Sequence, residues 1–246
     1  MYLTEITLFN VVKKQVEYKV KSYTGIFHSL IVLQLLGILF ATIGTSSMSE
    51  SVSFFSMTVE FYSSGVISAM TAFWLIINAL LLTTTAYRED DFTFVTNRLS
   101  RLWANIIFLI ILSVIGAVSS YLATNVLKVI LFMQNKELIF IDHVPITSGI
   151  FSLLGLIGYF ILLGAIAYTV GSIVQRNKVV AIVLSTSFIA LGTVLLQFQV
   201  DELIAQVLYF FTQETNFVLF ILKIIITSSL LFLLSWSMSR NQEVRV

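Results

Sequence analysis

Apolar residues in this chain gather into long unbroken runs. Six runs reach the roughly 20 mostly apolar residues that a bilayer-crossing helix needs. They are Thr24–Gly44, Ser63–Ala86, Leu102–Thr124, Gly149–Ile173, Val179–Gln199 and Phe217–Met238. The third is followed by the apolar stretch Leu127–Met133, which leaves room for a longer helix. Barrel strands would alternate apolar and polar residues over short segments, and these runs do not. Ahead of the first run, residues 5–23 predict an amphipathic helix. Phe9, Val12, Val16, Val20 and Tyr23 recur at steps of three and four on one face, with Asn10, Lys14, Glu17 and Lys21 on the other. Such a helix lies in the membrane interface with its apolar side down, as an anchor for the first span or as a docking element. The stretch DELIAQVLYFFTQ, within residues 200–213, is too short to span. Its acidic start suits a helix N-terminus, and its length predicts an interfacial or re-entrant segment. The loops Thr45–Tyr62 and Asn125–Thr147 are short, and neither has room for a folded domain. The predicted fold class is all-α: a polytopic membrane protein with an interface helix over residues 1–23 and one six-helix domain over residues 24–246.

Composition supports this reading. Hydrophobic residues make up 58% of the chain and charged ones 11%, with a mean hydropathy of +0.97. Soluble domains hold about 45–50% and about 25% of these classes. The distribution of charge says more than the net value of +1. Lys13, Lys14, Lys19 and Lys21 precede the first run, and Arg88, Arg98 and Arg101 lie between the second and third. Arg176 and Lys178 lie between the fourth and fifth, and Arg240 and Arg245 follow the sixth. All eleven fall on one side of a six-span topology, out of 14 basic residues. The positive-inside rule makes that side cytoplasmic, together with both termini. No small-residue cleavage site follows the first run, so a cleavable signal is not predicted. The expected location is a cell membrane, crossed several times.

Several chemistries are missing. There is no cysteine, so no thiolate metal site or Cys nucleophile. There is no phosphate-binding G-x-x-x-x-G-K-[ST] loop and no H-E-x-x-H. His28 and His143 fall at opposite faces of a bilayer about 30 Å thick and share no metal. Asp and Glu are absent from the middle of every run, whereas a proton-coupled carrier usually needs an ionisable group there. No catalytic residue, metal, cofactor or nucleic-acid partner is predicted. Three polar residues inside the runs are candidates for lining a translocation path: Gln34, Asn78 and Lys223. For Gln34 and Asn78 the ordinary role is interhelical hydrogen bonding. For Lys223 it is snorkelling to the headgroups. The glycines of the fourth run, with the small pair Ala167 and Gly171, predict close packing within the bundle, or a dimer seam.

One polar segment stands out, YREDDFTFVTNRLSR, residues 87–101. Six of its residues are charged: Arg88, Glu89, Asp90, Asp91, Arg98 and Arg101. Phe92, Phe94, Val95 and Leu99 lie among them. A loop that only marked topology would need the basic residues but neither the acids nor the phenylalanines. Apolar side chains in a charged surround point to a protein contact.

This layout resembles the permease subunits of ABC transporters of the ABC-2 type, mostly exporters. The matching regions are Glu5–Tyr23, YREDDFTFVTNRLSR and DELIAQVLYFFTQ, and the run FVTNRLSRLWANIIF looks like the entry to the third span in small bacterial members. The resemblance implies that residues 87–101 form a coupling segment seated on a separate ATPase subunit, which binds the ATP. It also implies a second permease subunit, identical or not, that completes a path through the membrane lipid. Phe92 and Phe94 would then be the apolar anchors, with Arg88, Glu89, Asp90, Asp91, Arg98 and Arg101 setting register and partner choice. The chain departs from large members in having neither a big outer domain nor a fused ATPase, which leaves the cargo open among peptides, antimicrobials and amphiphiles. A rival reading is an immunity or sensor protein that acts by binding without an ATPase. An enzyme acting on lipid would need catalytic side chains clustered at one depth, and none are found in the sequence.

Overall fold

The computed structural model describes residues 7–52, 55–87, 98–134, 146–176, 209–211, 214 and 216–239. In chain order the elements are α1 (Leu8–Ser22), α2 (Thr24–Ile43), β1 (Thr45–Val52), β2 (Phe55–Tyr62), α3 (Gly65–Leu81), α4 (Arg98–Met133), α5 (Ile146–Arg176) and α6 (Phe217–Ser239). The described chain is nearly all helical, and α2, α4, α5 and α6 are each long and apolar enough to cross a membrane. It is a membrane-embedded protein. The predicted run Val179–Gln199 lies outside the described residues, as do both extreme termini.

The elements differ from the sequence reading in three places. First, the helix predicted over Ser63–Ala86 spans only Gly65–Leu81. The threonine run ends it. Thr83 N and Thr84 N donate to the carbonyls of Leu80 and Leu81 at 3.1 and 2.9 Å, and the two threonine hydroxyls donate to the same carbonyls at 2.7 Å. Bonds from i to i−3 tighten the last turn, and the hydroxyls compete for carbonyls that a longer helix would use. Second, α4 begins at Arg98, ahead of the predicted Leu102, and continues through Thr124 to Met133, the longer helix for which Leu127–Met133 left room. Its 36 residues extend for about 54 Å. Third, Thr45–Tyr62 is not a simple loop. β1 and β2 pair antiparallel from Thr45↔Tyr62 to Val52↔Phe55.

Two compact units divide the chain. One holds Val20–Leu75 and Ile111–Phe160. Its core is Ala41, Ile67, Ala123, Leu127 and Leu131, with Ile38, Tyr62 and Val66 packed against them. Gly37 lets α2 approach the α3 backbone, since a Cβ there would lie 3.2 Å from Ile67 Cα. Polar bonds supplement this packing. Trp74, 1% exposed, donates its indole N–H to the Ile26 carbonyl at 3.1 Å and the Ser29 hydroxyl at 3.0 Å. The Ser120 hydroxyl donates to that of Ser68 at 3.4 Å.

The other unit holds Met1–Lys19, Ile76–Ile110 and Ile161–Val246. Here α6 buries Phe220, Ile224, Ser228, Phe232 and Ser235 along one stripe. The opposite side of the helix, Leu222, Ile226, Leu230 and Leu233 among it, is exposed as a lipid-facing helix requires. Thr169 on α5 donates to the Leu231 carbonyl at 3.1 Å, and the hydroxyls of Ser172 and Ser235 lie 2.7 Å apart. Gly171 and Ala167 are buried on α5, and Gly171 faces Thr83. The small-residue pair thus serves packing within this unit.

A Cβ at Gly171 would sit 2.5 Å from the Thr83 hydroxyl, whereas one at Gly155 would meet nothing within 4 Å. Gly171→Ala is expected to destabilise the protein by about 1–3 kcal/mol through overpacking. Gly155→Ala on the same helix is expected to be neutral or stabilising by up to about 1 kcal/mol. Unfolding of the two variants in mixed micelles, measured side by side, checks the contrast.

Candidate functional site

The residues singled out from sequence fall into three groups. Arg88, Glu89, Asp90, Asp91, Phe92 and Phe94 lie outside the described residues. Arg98 and Arg101 occupy the first turn of α4, so the polar segment 87–101 ends as helix. Gln34, Asn78 and Lys223 are all described. Gln34, 9% exposed, donates to the Ser119 hydroxyl at 2.8 Å and reaches Thr71 Oγ1 at 3.5 Å. Asn78 is buried on α3. Lys223 ion-pairs with Glu214, donates to the Phe210 carbonyl at 3.1 Å, and lies 3.9 Å from the centroid of the Phe210 ring. Of the predicted outer segment 200–213, residues 209–211 are described and helical.

Helix α1 covers Leu8–Ser22 of the predicted 5–23, and the face it turns to the rest of the protein is not the apolar one. Its buried residues are Val12, Gln15 and Lys19. At 100° per residue, this stripe is turned roughly 60–70° from the predicted apolar one. Phe9, assigned to the face turned toward the membrane interface, is 74% exposed and does not pack against the protein. The polar face holds, because Asn10, Lys14, Glu17 and Lys21 are exposed. Phe9, Val16 and Val20 form an apolar flank beside the buried stripe.

The protein-facing stripe is held by a buried polar chain that the sequence reading missed. Lys19, 1% exposed, donates its ammonium to Asn105 Oδ1 on α4. Asn105, 2% exposed, donates Nδ2 to the Tyr168 hydroxyl on α5 at 3.0 Å. A lysine only donates, so the Asn105 amide is oriented with its oxygen toward Lys19 and its nitrogen toward Tyr168. The Tyr168 ring stands 6.0 Å from that of Phe232 on α6, tilted by 57°. One asparagine thus joins α1 to α5 through α4, and the tyrosine carries the contact on to α6. Asn105 lies four residues past Arg101, so this junction sits one helical turn beyond the end of the polar segment.

Gln15 lies one turn from Lys19 on the same stripe. It is 1% exposed, and neither its amide nitrogen nor its oxygen has a hydrogen-bond partner among the described residues. Two signals in the sequence mark this cluster. Val12, Gln15 and Lys19 recur at helical spacing, and Asn105 is a lone amide near the start of an apolar run. Both were obscured because Lys19 reads equally well as a topology-setting charge. Among the described residues, no three His, Cys, Asp or Glu side chains converge. The cluster is suited to transmitting position between helices.

No family model, curated protein or solved structure matches this chain.

Removing one partner of a buried polar pair costs more than replacing an unpartnered polar group with an apolar one. Asn105→Ala is therefore expected to destabilise the protein by about 1–3 kcal/mol, and Gln15→Leu to be neutral or stabilising. In a double-mutant cycle, Lys19→Met and Asn105→Ala are expected to couple by about 0.6–2 kcal/mol. Independent effects of the two changes would break the chain at its first link.

Proposed function

We propose that this chain is the membrane-spanning permease subunit of an ABC-2 type exporter in a bacterial plasma membrane. It acts with a separate ATPase subunit and a second permease subunit. In this reading the run Val179–Gln199 supplies a further crossing and α3 another, giving six spans with both termini in the cytoplasm. The cargo is a peptide, antimicrobial or amphiphile. The observation that carries the reading is the Lys19–Asn105–Tyr168 chain. It fastens α1, α4 and α5 together one turn beyond the polar segment 87–101. A transporter driven from below needs such a junction, because force delivered to one cytoplasmic segment must move several spans together.

The mechanism is mechanical. ATP binding closes the ATPase subunits, which press on residues 87–101. Since α4 begins within that segment at Arg98, the push enters α4 directly. Asn105 transfers it to α1 and α5. Phe92 and Phe94 anchor the segment in a groove of the ATPase, while Glu89, Asp90 and Asp91 fix its register. Each step works only as far as the two transporter states differ in contact energy with the ATPase.

Purification of the tagged chain from its own host in mild detergent tests this reading. An ATPase is expected to accompany the wild type and to be lost from the Phe92→Ala, Phe94→Ala double variant. Charge reversal at Asp90 and Asp91 is expected to weaken the same association. Asn105→Ala is expected to retain the ATPase, since it lies behind the contact surface, but to uncouple cargo movement from hydrolysis. A chain recovered alone, with unchanged behaviour on charge reversal, would move the assignment to a binding protein that confers immunity or senses a ligand.

A further inference from the structure

The surroundings of Lys223 form a recognition site for a primary ammonium. Three groups converge on Nζ: the Glu214 carboxylate, the Phe210 carbonyl oxygen at 3.1 Å and the Phe210 ring face at 3.9 Å. These are an anion, a neutral acceptor and a π-face, the three kinds of group that stabilise an alkylammonium. The site is open to its surroundings. The side chains of Lys223 and Glu214 are 24% and 23% exposed, and Tyr209 and Phe210 beside them are about half exposed. Lys223 lies six residues into α6, a rise of about 9 Å. Helical side chains lean toward the N-terminus, so its stem runs back along the helix and delivers the ammonium to Glu214, three residues before α6 begins.

An ion pair is not needed to stabilise an apolar helix in lipid. Ionisable groups are costly there and are usually found on substrate or ion pathways. Both members of this pair could be replaced by apolar residues without leaving a charge behind.

We infer that Glu214 and Phe210 form a binding site for the ammonium of a cationic amphiphile, and that Lys223 fills it as a tethered competitor. An incoming alkylammonium takes the carboxylate and the ring, and the Lys223 stem swings its own ammonium toward the headgroups. The site then discriminates by charge and hydrogen-bond donation. Primary ammonium ligands bind, quaternary ones keep only the ring and Coulomb contacts, and anionic amphiphiles are refused. The inference rests on the exporter reading only in naming this ligand as cargo, because the binding step involves no ATPase.

The test uses the full chain in nanodiscs with 4-fluorophenylalanine placed at position 210, titrated with hexylammonium and followed by the fluorine shift. Empty discs correct for partitioning. Hexylammonium is expected to bind Lys223→Met about tenfold more tightly than wild type, the scale of one exposed ion pair plus one cation–π contact. Lys223→Arg retains a tethered cation and is expected to behave as wild type. Glu214→Gln is expected to lose the response, and hexyltrimethylammonium to bind more weakly than hexylammonium. Equal affinity in Lys223→Met and wild type would overturn the competitor role. A full response in Glu214→Gln would overturn the site itself. Since the titration contains no ATPase, an ATPase that copurifies with a chain insensitive to hexylammonium would leave the exporter reading standing and remove this one. The reverse pair of results would keep the ammonium site and remove the exporter.

Discussion

In lipid, apolar side chains gain little by leaving their surroundings for one another, so helices need other reasons to associate. The Asn105 amide supplies such a reason in this protein. Its oxygen is taken by Lys19 and its nitrogen reaches Tyr168, so each end finds its partner on a different helix. Left unpaired in so dry a site, the same amide would be a liability. This requirement fixes the roll of α1. Turning the helix to bury Phe9 would withdraw Lys19 from Asn105. The exposed phenylalanine and the buried lysine therefore have one cause. The same constraint acts in the Val20–Leu75 and Ile111–Phe160 unit. There the Trp74 indole meets Ile26 and Ser29, and the Gln34 amide meets Ser119.

Close approach is the second reason for association, and small residues permit it at defined points. Gly37 admits the α3 backbone near Ile67, and Gly171 admits Thr83. The hydroxyl contacts of Thr169 and Ser172 with α6 run along the same side of α5 as Tyr168. Dispersion and short polar contacts reinforce one another there, because hydroxyl groups reach across only when backbones lie close. Gly155, by contrast, faces open space, so glycine content alone does not mark a seam.

Much of the fold was legible in the sequence, because apolar runs of spanning length have few alternatives. α2 and α6 begin at Thr24 and Phe217, as their runs do. What was not legible depended on competition between weak local signals. The end of α3 is decided by threonine hydroxyls at positions 83 and 84, where hydropathy alone continues the helix to Ala86. The β-hairpin was hidden by the serine-rich first strand, TSSMSESV, although FSMTVEFY alternates with the period of a strand. The protein-facing stripe of α1 was not legible because an apolar stripe marks the face that avoids water, and lipid and protein satisfy that equally well. Gln34, Asn78 and Lys223 were found as polar residues within apolar runs. The partners that give two of them meaning, Ser119 and Glu214, are distant in sequence or outside the run, and no spacing rule selects them.

The early end of α3 has a consequence for the surrounding bilayer. Seventeen residues extend for about 26 Å, several ångströms less than a typical hydrocarbon core. In the proposed six-span reading, a crossing segment of that length would meet both interfaces only where the bilayer thins beside it or its flanking residues reach outward. Neighbouring α4, at about 54 Å, adapts by tilting or by leaving the bilayer altogether. In that reading the two helices respond oppositely to membrane thickness, and the short one sets the limit. A thicker bilayer draws the Thr83–Thr84 turn toward hydrocarbon, and a thinner one relieves it. Acyl-chain length would then be a variable to which this protein is mechanically coupled through Thr83 and Thr84.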